Sequence, residues 1–134
     1  MTTTIENLAA EYRKCGEAFG AAIMLGDPHA IQKCHNKRAR ILKKLRACGE
    51  SGKTALRQLM EDHSDAVALW AATDCILFAE ADALKVLDAI GKKNGLIPFT
   101  ARMTAHQWRA GELNIRQQNE SCLLANAVNE QDRW

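Results

Sequence analysis

The chain is poor in the residues that build turns and strands. It has two prolines and eight glycines in 134 residues. No hairpin dipeptide sits between alternating apolar runs, so a β-rich fold is not expected. Aromatic residues make up only 5%. The five cysteines, Cys15, Cys34, Cys48, Cys75 and Cys122, are odd in number, and no two form a Cys-x-x-Cys pair. That argues against a secreted disulfide framework and for reduced thiols in a cytoplasmic protein. The opening segment, MTTTIENLAAEYRK, is polar with an early acid. It reads as neither a secretory signal nor a membrane span, and no membrane association is expected. The formal net charge is only +2, so bulk charge names no partner.

What the chain does have is Ala, Leu, Lys, Arg and Glu in quantity, with 47% apolar and 25% charged residues. Such a composition favours a helical globular domain. Ile5, Leu8, Tyr12, Cys15, Phe19 and Ala22 step by three and four, predicting a first helix. Thr3 and Glu6 have capping-box spacing at its start, and Gly26 ends it. A second helix opens with Asp27 as cap and Pro28 in first position. Ile31, Cys34, Ile41, Leu45 and Cys48 give it an apolar stripe that only Arg38 interrupts. A short third helix is expected over 51–63. A nearly all-apolar fourth, over 64–79, should be central, with Trp70 buried. A fifth follows over 79–95. A sixth begins after a turn through Pro98, is capped by Thr100 and ends at Gly111. In the tail, Leu113, Ile115, Leu123, Leu124 and Val128 hint at a seventh.

The stretch ACGESGKT, 47–54, fits a loosened phosphate-loop pattern. A phosphate loop needs a buried strand before it, so that a helix N-terminus faces the phosphates. Here the preceding residues, ARILKKLRAC, have helical period and high charge, and Ala47 replaces the glycine of the tight turn. The stretch therefore reads as a helix–helix turn in which Gly49 ends one helix and Ser51 caps the next. No nucleotide is expected there, and no cofactor elsewhere.

Leu56 and Leu59 in one helix pair correspond to Leu84 and Leu87 in the next, a degenerate repeat of the kind found in helical solenoids. The Gly-x-x-Gly turn, the segment Val67-x-Leu69-Trp70-Ala71-Ala72-Thr73, the Leu-x-x-Leu helix at 84–87, and Ala101-x-Met103-Thr104 with Trp108 and Gly111 resemble a small bacterial family of HEAT-like helical domains of unknown function. The resemblance covers roughly 5–113. It implies an all-α, ARM-type fold of six or seven helices in a short right-handed solenoid, spanning 1–111, with 112–134 as an extension that family members lack. It carries over no catalytic residue. Where the family often has Arg, this chain has Ala68.

The four histidines make no zinc-ligand set with the cysteines, and no metal site is expected. The cysteines fall mostly on apolar stripes, where inert buried thiols are the usual outcome. No enzymatic machinery can be assembled. The informative polar feature is charge layout. Between Pro28 and Gly49 lie seven Lys or Arg and no acid, and Lys33, Lys37, Arg40 and Lys44 line one ridge. Between Glu61 and Asp88 lie seven acids and only Lys85. Two functions follow. A non-catalytic protein-interaction module, such as a bacterial immunity protein neutralising a basic toxin, would use Glu61, Asp62, Asp65 and Asp82. A nucleic-acid binder would instead use Lys33, Lys37, Arg40 and Lys44 on phosphates.

Overall fold

The computed structural model describes residues 4–111, all of whose regular structure is helical. The six helices are α1 (Ile5–Leu25), α2 (Pro28–Ala47), α3 (Glu50–Leu59), α4 (Asp65–Cys75), α5 (Glu80–Gly91) and α6 (Leu96–Arg109). The all-α class is as expected. The seventh helix anticipated in the tail, and Cys122, lie outside the described residues.

Helix α4 sits at the centre. It packs on α1, α3, α5 and α6. Nine of its eleven residues are buried, which is why its sequence shows no polar face. Trp70 is 2% exposed, as the sequence predicts. The crossing with α1 is close because Gly16 faces Val67 there, where a Cβ would come within 2.9 Å of the valine side chain. Helix α2 lies against α1 and the start of α3, and its Arg38 and His35 side chains reach α4.

Helix boundaries differ from expectation in several places, and α3 ends at Leu59, short of the expected 63. Thr4, not Thr3, caps α1, its hydroxyl accepting from the Asn7 N–H at 3.1 Å. Helix α3 begins at Glu50 with Gly49 as its cap, so Ser51 lies within the first turn. Helix α4 stops at Cys75, and the following turn carries the fully buried Ile76 into the core. Helix α6 starts at Leu96. Pro98 sits inside its first turn, where a missing N–H costs nothing. Thr100 is no cap; its hydroxyl bonds back to the Leu96 carbonyl at 2.9 Å.

Asp27 and Pro28 open α2 as predicted, and Gly26 ends α1 in the left-handed region at φ 64°. The ACGESGKT stretch is a helix–helix turn, with helix α2 running into it where a phosphate loop needs a strand. Lys53 reaches Glu50 at 3.3 Å and lies over the Phe78 ring, while the Thr54 hydroxyl bonds to the Glu50 carbonyl. A Cβ on Gly52 would stand 2.0 Å from the Leu45 carbonyl oxygen, so this glycine is what lets α3 fold back onto α2.

Candidate binding groove

Helix α2 carries cations on two sides, and they have different fates. Arg38, which breaks the apolar stripe, turns inward. Its Nε donates to Asp74 Oδ2 at 3.0 Å and a terminal nitrogen donates to Oδ1 at 2.5 Å. Tyr12 on α1 donates its hydroxyl to the same Oδ2 at 2.6 Å. The Arg38 guanidinium also lies 4.9 Å from the centre of the Trp70 ring. Phe19 and His35 complete the cluster around that indole, with Phe19 4.8 Å from it.

The Asp74 side chain is 1% exposed, and its oxygens are occupied by Tyr12 and Arg38. Burial and the adjacent carboxylate raise the Tyr12 phenol well above its ordinary value, so it stays a hydrogen donor. Asp74 is therefore not one of the surface acids that its place in the 61–88 run suggested. It is a buried junction holding α1, α2 and α4 together. Two sequence signals pointed to it: one cation in the apolar stripe of α2, and one acid, Asp74, in the apolar α4 beyond the Asp65 of its first turn. A buried charge needs a partner of opposite sign, and these two supply each other.

The outward cations of α2 behave differently. Lys33, Lys37, Arg40 and Lys44 are all exposed, and all line a groove of about 720 Å³ between α1 and α2. Helix α1 adds Lys14 and a single acid, Glu11. The buried part of the lining is apolar: Cys15, Cys34 and Ile41, with Ala18 and Ala30 beside them. Among the described residues, none of the five cations forms an ion pair. The sequence ridge on α2 is thus real, but the contribution of Lys14 was not legible from it, because it depends on how α1 packs.

The Cys15 thiol donates to the Cys34 carbonyl at 3.2 Å. Burial, and then the neighbouring Cys34, push its pKa up to about 11. At neutral pH it is a protonated thiol rather than a nucleophile. Burial raises Cys75 in the same direction. Among the described residues no cluster of His, Cys, Asp or Glu is placed to hold a metal ion. Nor is any helix there long and apolar enough to cross a membrane.

The four acids expected to meet a basic partner do not form one free cluster. Asp62 accepts from Arg13 at 2.7 Å and from the Ser64 N–H at 2.9 Å, and its side chain is 5% exposed. Burial alone would raise its pKa, but the Ser64 N–H and the Arg13 guanidinium outweigh that and hold it below the usual carboxylate range. Asp65 pairs with Lys93 at 2.9 Å. Glu80 accepts from the Trp108 indole, and Asp88 is bridged by Arg109 through two hydrogen bonds. Of the seven acids in the run, only Glu61 and Asp82 have no such partner among the described residues. Lys93 places Asp65 near the C-terminal end of α5. Asp82 lies in that helix's first turn, about 16 Å away along its axis.

Comparison of the chain with protein-family models, with curated proteins and with solved structures finds no match.

Proposed function

We propose that the protein is a non-catalytic helical binding module, which takes an anionic region of a partner macromolecule into the groove between α1 and α2. The observation that carries this reading is a contrast in pairing. Five cations face one groove without ion-pair partners among the described residues, while five of the seven acids in the acidic run are engaged inside the molecule. Unpaired like charges gathered on one surface steer an oppositely charged partner and raise its association rate. Protonated buried thiols and an enclosed Asp74 support a binding role over catalysis. On this reading the helix pairs form a short right-handed HEAT-type stack, and α1–α2 is the pair that offers its outer side to a partner. An immunity role for a cytoplasmic protein remains compatible, with the sign reversed: the toxin surface covered would be acidic.

The test uses immobilised heparin as a general polyanion. The wild-type protein should elute at clearly higher salt than a variant carrying Lys33→Glu, Lys37→Glu, Arg40→Glu and Lys44→Glu, at equal helical content by circular dichroism. A control carrying Glu61→Lys and Asp82→Lys should be retained at least as strongly as the wild type. Retention unchanged by the four reversals would place the binding surface elsewhere.

A further inference from the structure

We infer that the occupant of the groove is an acidic amphipathic helix of a partner protein, lying lengthwise along α2. This rests on the groove being the binding surface, and it names the partner's class.

The first argument is periodicity. Lys33, Lys37, Arg40 and Lys44 step by four, three and four. They span about 16 Å at 1.5 Å per residue, or three turns of helix. Carboxylates repeated at the same step on a second helix can meet all four cations together, because both partners share the 3.6-residue repeat. The second argument is the lining between the cations. Cys15, Cys34 and Ile41 form an apolar floor, flanked by the small side chains of Ala18 and Ala30. Small residues permit close approach of a helix, and an apolar stripe on that helix would cover the floor.

A nucleic acid fits the same groove less well. Its phosphates would satisfy the cations but make no use of the exposed Ala18 and half-buried Ala30 beside the apolar floor. None of the lining residues is aromatic, so a single strand finds no ring on which to stack its bases. Four of the five cations are lysines, point charges rather than the guanidinium forks that grip phosphate in two bonds. Glu11 opposes a continuous phosphate chain, whereas a helix can set a basic residue against it.

The experiment compares fluorescently labelled probes on the full chain. One is a designed peptide of about 21 residues with Glu at i, i+4, i+7 and i+11 flanking a Leu/Ala stripe, long enough for the three turns required. The others are a scrambled peptide of the same composition, a 20-nucleotide single-stranded DNA and a 20-base-pair duplex. The patterned peptide should bind at least about tenfold more tightly than the scrambled one and the DNAs, and should gain helicity on binding. Lys37→Glu with Arg40→Glu should remove that binding. The separating variant is Ala18→Arg, which fills the floor from an exposed position while adding positive charge. It should weaken the patterned peptide about tenfold and leave or tighten DNA binding. Equal affinity for the two peptides, tighter binding of either DNA, or a patterned peptide indifferent to Ala18→Arg overturns the inference. If heparin retention still depends on the four cations, the groove reading survives that failure. If it does not, both fall.

Discussion

At the scale of single residues, Asp74 carries the most consequence. Its carboxylate neutralises a guanidinium that is itself only 14% exposed. Removing one partner of such a pair takes away the opposite charge that balances the other in the interior. Asp74→Asn should therefore cost about 3–5 kcal/mol of stability, whereas replacing the pair together, with Arg38→Met and Asp74→Leu, should cost less than the single change. Urea unfolding of the three proteins checks the order. His35 gives a pH dependence. Burial, then the nearby Arg38, holds its imidazole below the ordinary value of about 6.5, with Asp74 opposing. As pH falls through that value the unfolded chain takes up a proton that the folded one resists, so the unfolded state gains. Stability should be full above about pH 6.5 and decline on acidification, levelling off once the folded imidazole also protonates. The thermal midpoint should drop between about pH 7 and 5, and drop less in His35→Phe, which keeps a ring against Phe19 and Trp70. An equal drop in that variant would assign the loss to another group.

At the scale of elements, the α2–α3 junction shows why a sequence pattern can mislead. The glycines that make ACGESGKT look like a phosphate loop serve a tight return of the chain. Gly52→Ala would drive a methyl into the Leu45 carbonyl. The junction should open at a cost of at least about 1–3 kcal/mol, read as a lowered thermal midpoint. An unchanged midpoint would mean that α3 is not held against α2 at this point. The helices themselves were legible wherever a periodic stripe ran between clear caps, as in α1 and α2. Their ends were less so. Pro98 reads as a breaker, yet a first turn accepts it; Thr100 reads as a cap, yet its hydroxyl serves the preceding turn. Composition cannot separate these uses, because both keep the same residue near a helix start. The Lys33–Lys44 ridge could be found from spacing within one helix. Its companion Lys14 and the pairing of Asp62 with Arg13, 49 residues apart, could not, since they exist only after distant segments pack.

At the scale of the whole molecule, charge is sorted by sign and by depth. Most acids of the 61–88 run are held in pairs within the chain, two of them with buried side chains, and Lys33, Lys37, Arg40 and Lys44 of α2 are left to solvent. A protein arranged this way should gain stability when an anion fills the groove, because mutual repulsion among the lysines is relieved and only the folded form presents the site. Heparin should raise the thermal midpoint of the wild type and not that of the four-residue reversal variant. The junction at Asp74 adds something that charge alone does not. One carboxylate grips Tyr12 on α1 and Arg38 on α2, the two helices that form the groove walls. Their separation is therefore set before any partner arrives. A preorganised cleft spares its ligand the cost of ordering the receptor, and that saving appears as affinity. Loosening this hidden clasp should make the groove a poorer binder at temperatures where the variant is still folded, without touching any atom the partner meets.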